Sequence, residues 1–390
     1  MNFKITNQDE LSKKITLNIK AVSSNKIIES LKNLKLKISG NNMEIISYNC
    51  ENCVISNFPI ENINIEENCE FLVDANTFQN ILGQSLDFSA KEINISVNLE
   101  KEIMTLSYNG IEFVLKILKN TKDFDSAPNL DSYTDFKTAV FNKNSLRRAI
   151  SNTKKCASKD PAKPILEAIT IDVKENSSSV IALDGIRLAI NTIECESSDT
   201  FKTSLHAFTS ISILSDILKN GYDFVELNSN GIYTMVENDD TVVFLKEIPD
   251  KLFDYNKFVT KNNETTNIKV NKTLLEKALS ATKIGNSKNS AIELRVDHNN
   301  NKIVFKNLNN TISEDCVQSC EVPLDVEISG LLKTNLNIAF NCLYLLDLLS
   351  SVYTEDCNLI LQGETAPFFI ENENDKKSTY LLLPVRRISR

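Results

Sequence analysis

The sequence has little of what enzymes, membrane proteins and fibrous proteins need. Its 390 residues include two histidines (His206 and His298), nine glycines, eight prolines and no tryptophan. It has no phosphate-binding glycine loop, HExxH zinc motif or GxSxG nucleophile motif, so we expect a protein that is not an enzyme. The low glycine and proline contents exclude collagen-like and linker-rich chains. No apolar run reaches the roughly 18 residues of a membrane helix, which predicts no membrane partner.

The number and distribution of the cysteines favour a protein from a reducing compartment. Nine cysteines are spread along the chain, and the N-terminal sequence MNFKITNQDE lacks the basic and apolar regions of a secretory signal. We therefore expect a cytoplasmic protein. A zinc site built on Cys50 and Cys53 would have to recruit Cys316 and Cys320, which lack the usual spacing. Two small apolar side chains near a strand are the simpler interpretation, and we predict no metal and no cofactor.

An apolar residue followed by an amphipathic helical pattern recurs about every 65 residues. The six occurrences begin at Ile5, Val73, Phe141, Leu205, Val270 and Phe340. Four of them continue with a residue that suits a helix N-cap, namely Asp74, Asn142, Asn271 and Asn341. Between the helical patterns, alternating β-branched segments broken by turns such as Asn109-Gly110 predict strands.

The repeat predicts the fold class and the domain organisation. Each repeat reads as one helix with a meander of about four strands, which gives an α+β fold. Two repeats make a domain of ordinary size, and polar stretches at residues 123–135 and after Tyr255 suit linkers. We predict three similar domains, at residues 1–134, 135–260 and 261–390.

Positive charge is concentrated in the third helical segment. Residues 142–163 contain one acidic residue, Asp160, and seven basic residues, Lys143, Arg147, Arg148, Lys154, Lys155, Lys159 and Lys163. A solvated helix face is one interpretation. The whole chain carries a net charge of −9, however, and a basic segment in an acidic protein also fits a surface that holds a polyanion through its phosphates.

Several segments resemble one protein family. Residues 163–190, KPILEAITIDVKENSSSVIALDGIRLAI, are similar to the middle-domain signature of the bacterial DNA polymerase III beta subunit, the beta sliding clamp. Residues 337–352 resemble the last helix of that family, and residues 379–387, TYLLLPVRR, resemble its tail. APNL at 127–130 and FDY at 253–255 resemble the ends of its first two domains. The chain differs at Ile186, where an aromatic residue or histidine is common, and at Leu383 and Val385, where methionine is usual.

The resemblance implies a DNA clamp fold whose three domains close into a ring as a head-to-tail homodimer around duplex DNA. Such a ring is a processivity factor for DNA replication, without catalytic activity. It holds DNA topologically and without sequence specificity, and it tethers DNA polymerase and a clamp loader through their short hydrophobic motifs. The alternative is a clamp-fold interaction protein that binds the same partners without encircling DNA. An enzyme is the least favoured interpretation.

The resemblance also implies three sets of site residues. The DNA-binding set is Lys26, Lys155, Lys159, Lys163 and Lys288. The dimer interface set is Phe113, Leu115, Lys283 and Ile284, in which Lys283 stands where the family often has an apolar residue. The pocket for partner peptides comprises Leu166, Leu183, Gly185, Arg187, Leu188, Phe253, Lys257, Phe258, Asn341, Tyr344, Thr365, Pro367, Leu381, Leu382, Leu383, Pro384, Val385 and Arg386.

Overall fold

The chain forms two compact units. The computed structural model describes residues 1–24, 28–65, 67–87, 89–132, 134–219, 221–238, 240–249, 254–284, 291–308, 320–332 and 334–385. Unit 1 comprises Met1–Asn144 and Glu196–Pro249, and unit 2 comprises Ser145–Cys195 and Asp250–Arg390. Each unit contains part of the second predicted domain, and the three domain ranges remain a prediction.

Helices alternate with groups of strands along the chain. The helices are α1 (Gln8–Ile19), α2 (Ala75–Asp87), α3 (Lys143–Lys154), α4 (Ser210–Ile217), α5 (Asn256–Val259), α6 (Lys272–Lys283) and α7 (Cys342–Leu349). Within the part of the chain that the structure describes, no helix combines the length and the apolarity needed to cross a bilayer.

The strands of the first half of the chain are β1 (Asn2–Ile5), β2 (Asn33–Ser39), β3 (Asn42–Tyr48), β4 (Asn52–Pro59), β5 (Glu61–Asn64), β6 (Cys69–Asp74), β7 (Ile93–Asn98), β8 (Ile103–Tyr108), β9 (Ile111–Leu118), β10 (Lys137–Asn142), β11 (Ala168–Val173), β12 (Ser177–Leu183) and β13 (Arg187–Glu196). Those of the second half are β14 (Phe201–His206), β15 (Phe224–Ser229), β16 (Tyr233–Asn238), β17 (Thr241–Lys246), β18 (Thr266–Asn271), β19 (Ala291–Asp297), β20 (Lys302–Asn307), β21 (Glu321–Asp325), β22 (Glu327–Gly330), β23 (Asn337–Asn341), β24 (Asp356–Leu361), β25 (Phe368–Asn372) and β26 (Asp375–Leu382).

The order of elements confirms the repeat that the sequence predicts. Each predicted start residue lies in a strand that leads into a helix, at β1–α1, β6–α2, β10–α3, β14–α4, β18–α6 and β23–α7. Three strands then follow each helix, and β5 and β22 are additions to the first and fifth repeats. The unit is thus one strand, one helix and three further strands, and the fold is α+β.

Side-chain caps define where several of these helices begin. The Asp74 Oδ1 accepts a hydrogen bond from the Thr77 amide at 2.8 Å, and the Asn271 Oδ1 accepts one from the Leu274 amide at 3.1 Å. Asn341 caps α7 in the same way. Each oxygen satisfies an amide that has no partner within its helix, so three of the four predicted caps are confirmed.

Unit 1 contains a continuous antiparallel sheet, against which α1, α2 and α4 pack. Its strand order is β5-β1-β7-β8-β9-β6-β2-β3-β4-β17-β16-β15-β10. One apolar cluster includes Phe3, Leu11 and Ile15 of the first repeat with Phe78 and Leu82 of the second. The helices α1 and α2 therefore share one core, which explains why two repeats fold together.

Unit 2 contains two antiparallel sheets. One has the order β11-β12-β13-β26-β25-β24-β18-β22, and the other has the order β21-β20-β19-β23. The Phe340 ring meets Phe305 and Phe368 edge to face, at centroid distances of 6.5 and 5.5 Å. These rings join the fifth and sixth repeats, which carry α6 and α7.

Candidate functional site

The pairing of β13 with β26 brings together residues that the sequence predicts for the peptide pocket. Leu188 lies opposite Leu381, and Arg187 lies opposite Leu382. Beyond β26, the Leu383 amide donates to the Ile186 carbonyl at 2.9 Å. The chain is therefore held against the turn before β13 after its last strand has ended, and residues about 200 positions apart in sequence become neighbours.

An apolar cluster in unit 2, which we call the pocket cluster, contains five of the predicted pocket residues. Leu183, Leu188 and Leu381 are buried in it, and Leu166 and Leu383 pack against it partly buried. The pocket prediction missed its other members, which are Ile181, Ile190, Tyr255, Val259, Ile360 and Phe369. Ile181 and Ile190 could have been found, because residues two apart on a strand share a face.

Exposed apolar side chains flank the pocket cluster. Phe258 precedes Val259 and is 51% exposed, Val385 follows the tail and is 46% exposed, and Ile186 in the turn before β13 is 41% exposed. Exposed apolar surface next to a buried apolar floor is typical of a site where a short peptide docks.

A tight turn sets the position of Arg187. Gly185 has a φ of +90°, a conformation that a residue with a Cβ rarely adopts. The Asp184 Oδ1 accepts hydrogen bonds from the Ile186 amide at 2.9 Å and from the Arg187 amide at 2.7 Å. The turn thus directs the Arg187 side chain to the surface formed by α7.

The Arg187 guanidinium is buried and paired with two carboxylates. It donates to Asp184 at 2.9 Å and to Asp347 at 2.7 Å, and it lies 4.2 Å from the ring centre of Tyr344. Burial lowers the pKa of Arg187, but the neighbouring carboxylates outweigh this, so the pKa is raised above its ordinary value. Arg187 is therefore charged and held in place. It links the turn that contains Gly185 to Tyr344 on α7, and both of these are predicted pocket residues.

The remaining predicted pocket residues have varied surroundings. Lys257 is exposed and lies 4.0 Å from Asp254. The side chain of Asn341 is engaged as the cap of α7. Leu382 is fully buried, Pro367 and Pro384 are partly buried, and Thr365 is exposed. Phe253 and Arg386 lie outside the described residues.

Three of the predicted DNA-binding lysines lie together after α3. Lys155, Lys159 and Lys163 are exposed, and the Lys155 Nζ donates to the Ser350 hydroxyl. Arg147 and Arg148 are exposed on α3 itself. We call residues 155–163 the basic segment. The other two predicted lysines, Lys26 and Lys288, lie outside the described residues.

The predicted dimer-interface residues lie at the end of α6 and on β9. Ile284 directly follows α6 and is 66% exposed, and Lys283 is also exposed. On β9, Phe113 is half-buried and stacks on Tyr108 at 6.1 Å. Leu115 is buried in the core of unit 1. The exposed apolar side chains of β9 are instead Val114 and Leu118, at positions that alternate with Phe113 and Leu115.

The two histidines and the Cys50–Cys53 pair lie in turns and strands, where their contacts are with neighbouring protein groups. The His206 Nδ1 accepts a hydrogen bond from the Phe208 amide at 3.3 Å, and the His298 Nε2 lies 3.5 Å from the Thr266 hydroxyl. Burial raises the pKa of Cys53 to about 12, whereas Cys50 is exposed in a turn. Among the described residues, no cluster of three or more His, Cys, Asp or Glu side chains could hold a metal ion. Cys316 lies outside them.

Known proteins similar to this chain agree on one family. The DNA polymerase III beta subunit N-terminal domain matches residues 1–128, and the C-terminal domain of the same subunit matches residues 259–386. The chain therefore belongs to the family of DNA polymerase III beta subunits.

Individual relatives have low sequence identity to this chain but match it over most of its length. The beta sliding clamp of Buchnera aphidicola is 23% identical, over 76% of this chain and 78% of its own length. That of Haemophilus influenzae is 24% identical, over 82% of both chains. The crystal structure of the Bacillus subtilis DNA polymerase sliding clamp is 21% identical, covers 99% of both chains and has a TM-score of 0.87. The clamp fold is thus retained at low sequence identity.

Proposed function

We propose that the protein is a DNA sliding clamp, a processivity factor that encircles duplex DNA and tethers a DNA polymerase. The observation that carries this proposal is the pocket cluster of unit 2, flanked by exposed apolar side chains, in a chain of the beta subunit family. In this role the protein acts in the cytoplasm and needs no catalytic group or cofactor, because holding and releasing DNA require no bond to be broken.

The pocket is suited to a short peptide with apolar anchors. Leu183, Leu188, Phe369 and Leu381 supply a buried floor, and burial of apolar area would provide most of the affinity. Because Arg187 is already paired with Asp184 and Asp347, we expect it to shape the site instead of attracting a charged ligand. A polymerase and a clamp loader would dock here through aliphatic and aromatic side chains.

A regular rule of strand pairing supports closure into a ring. The fourth strand of the first repeat, β4, pairs with the fourth strand of the fourth repeat, β17. The fourth strand of the third repeat, β13, likewise pairs with that of the sixth, β26. The two fourth strands that remain are β21 of the fifth repeat and β9 of the second.

The same rule assigns these two strands to the interface with a second copy of the chain. Among the described strands, β21 pairs with β20 alone, and residues 111–116 of β9 pair with β8 alone. Unpaired edges of this kind invite a further strand. If β21 of one copy pairs with β9 of another and the reverse contact also forms, a head-to-tail dimer closes into a ring. Val114 is an exposed apolar residue on β9, and Ile284, also exposed, directly follows α6, which packs against β21.

The basic segment is suited to hold DNA loosely. Lys155, Lys159 and Lys163 are exposed and carry charge, so they can contact phosphates, which carry no direct sequence information. A ring that touches DNA through such contacts can slide along it.

The test is retention on circular DNA. The protein is loaded onto a nicked plasmid by the clamp loader of its host, freed of unbound protein by gel filtration, and the plasmid is then cut. We expect the protein to stay on the circular plasmid and to be lost rapidly from the cut plasmid, because a ring can slide off a free DNA end. Equal retention before and after cutting would contradict encirclement and favour a binding protein that does not enclose DNA.

A charge reversal tests the basic segment in the same assay. We expect Lys155→Glu, Lys159→Glu and Lys163→Glu together to reduce the fraction loaded onto the circle and retained there by about tenfold at 0.15 M salt, because phosphate contacts would hold the DNA until the ring has closed around it. Peptide binding should not change. The matched control reverses three exposed lysines elsewhere, Lys174, Lys246 and Lys377. Equal retention of the two triple variants would show that the basic segment does not contact DNA.

A further inference from the structure

The chain contains two similarly built junctions between fourth strands, one in each unit. In unit 1, the Asn49 Oδ1 accepts from the Glu51 and Asn52 amides, and Cys50 has a φ of +70°. In unit 2, Asp184 and Gly185 form the same turn before β13. At the end of β17, the Lys246 amide donates to the Glu51 carbonyl at 3.1 Å, and just beyond β26 the Leu383 amide donates to the Ile186 carbonyl at 2.9 Å.

The segment that follows each pair of repeats crosses its junction in a similar way. Phe124 is buried in the unit 1 cluster beside Leu31 and Tyr48, and its carbonyl accepts from the Ala127 amide at 3.1 Å. Tyr255 is buried in the pocket cluster, and its carbonyl accepts from the Phe258 amide at 3.0 Å. The two aromatic residues therefore hold matching positions, but Tyr255 has a hydroxyl that Phe124 lacks.

The sheet residues beneath the two aromatic side chains also differ between the units. Below Tyr255, the carboxylate of Asp172 on β11 is buried, and its Oδ2 accepts from the Tyr255 hydroxyl at 2.8 Å. Asp172 lies opposite Ser179 of β12. In unit 1, the matching pair on β2 and β3 is Lys37 and Glu44, which form an ion pair at 2.9 Å. A buried carboxylate needs a hydrogen-bond donor, and Tyr255 supplies one to Asp172.

The crossing segment of unit 2, residues 254–262, which we call the linker segment, is fixed at both ends. Tyr255 holds its start against β11. At its end, the Lys261 Nζ donates to Glu371 and the Asn262 amide donates to the side chain of Gln362, both at 2.5 Å. Between these points lie Phe258, exposed, and Val259, which packs against the pocket cluster.

We propose that Tyr255 is a positioning residue for the peptide pocket: its hydrogen bond to buried Asp172 holds the linker segment so that Phe258 and Val259 form one wall of the pocket. This inference rests on the proposed peptide-binding function of the pocket cluster. Tyr255 itself is buried under the wall. Its effect on a bound peptide is indirect, since it limits the positions that Phe258 can take before binding.

The experiment measures the affinity of the full-length protein for a synthetic peptide with the C-terminal hydrophobic motif of a replicative polymerase. We expect Tyr255→Phe to weaken binding about tenfold, in line with the loss of a hydrogen bond to a charged group. Asp172→Leu, which removes the acceptor, should weaken binding equally. Asp172→Asn keeps an acceptor oxygen at the same place and should restore most of the affinity.

The matched control is Tyr380→Phe. Tyr380 is fully buried on β26 next to Leu381, and its hydroxyl donates to the Ser351 carbonyl at 3.1 Å. Successive strand residues face opposite sides of a sheet, so Tyr380 points away from the pocket cluster. Its loss should lower the melting temperature and leave peptide affinity unchanged.

The outcomes separate this inference from the proposed function. Wild-type protein that does not bind the peptide overturns the proposed function and, with it, this inference. Wild-type binding that Tyr255→Phe leaves unchanged overturns the inference alone. Equal losses of affinity in Tyr255→Phe and Tyr380→Phe also overturn it, because the effect would then reflect general destabilisation. If Tyr255→Phe does not fold, Asp172→Asn provides the test. A peptide affinity of Asp172→Asn that is more than about threefold weaker than that of wild type would contradict the expected rescue.

Discussion

At the scale of single residues, burial determines what the cysteines can do. Cys53, Cys156 and Cys357 are buried, and burial raises the pKa of each thiol to about 12. The thiolate is the reactive form, so these three are inert at neutral pH and serve as small apolar side chains. Cys50 is exposed in its turn and lies open to reagents.

This difference predicts the order of alkylation by N-ethylmaleimide in the native protein. Among the eight cysteines that the structure describes, we expect Cys50 to react first, and Cys53, Cys156 and Cys357 to react only on unfolding. Peptide mass spectrometry after short labelling times measures this order. Cys50→Ser should remove the fast adduct. Early labelling of Cys53 in that variant would contradict the burial that the structure assigns to it.

At the scale of elements, strand pairing holds β26 beside the proposed pocket. The strand β26 lies between β13 and β25, with Leu381 opposite both Leu188 and Phe369. Beyond β26, Leu383 and Val385 are attached by one backbone hydrogen bond each, to Ile186 and Ala339. The strand thus belongs to the sheet, whereas Leu383 and Val385 after it are proposed to form part of the pocket surface.

Deleting residues 383–390 should therefore separate binding from folding. We expect peptide binding to fall below detection, because Leu383 and Val385 contribute apolar surface to the pocket. We expect the melting temperature to stay within a few degrees of wild type, because every pair between β26 and its neighbours is kept. Calorimetric titration and thermal melting measure the two effects.

Deletion of residues 387–390 is the control for this truncation, because it leaves all predicted pocket residues in place. It should bind the peptide as the full chain does. If the longer deletion binds equally well, the tail does not form part of the pocket.

At the scale of the whole molecule, we propose that the edges of β9 and β21 pair with another chain. The pairing of β4 with β17 and of β13 with β26 follows one rule, and this rule leaves β9 and β21 for partners outside the chain. Ile284 and Val114 expose apolar surface that a partner would cover. Oligomeric state is therefore the property on which encirclement of DNA depends.

Light scattering over a dilution series measures this property directly. We expect a mass near twice 43.9 kDa. Ile284→Glu should shift the protein to monomer and raise the dimer dissociation constant at least about a hundredfold, because the interface would bury an unpaired charge. The control is Leu274→Glu, on an exposed position of the same helix. A wild-type monomer at all concentrations would exclude topological tethering by the free protein.

The sequence predicted the elements better than it predicted their neighbours. All six strand–helix junctions could be located, because apolar periodicity and capping residues are local signals. Leu183 and Leu188 of the pocket came from a local motif. Ile360 and Phe369 did not, because nothing within β24 or β25 indicates which strand lies beyond β26. The role of Tyr255 was also missed, because its partner Asp172 lies on β11, far along the chain.

The sequence by itself determined the six-fold repeat, the α+β class and the basic segment, because short-range periodicity and charge encode these features. Only the tertiary structure decided which strands meet. A strand's alternation specifies the face that is buried, whereas its partner depends on chain connectivity and on the shape of both edges. The pairing of β13 with β26 is such a decision. It brings Arg187 to Asp347 and Leu188 to Leu381, and the proposed pocket depends on it.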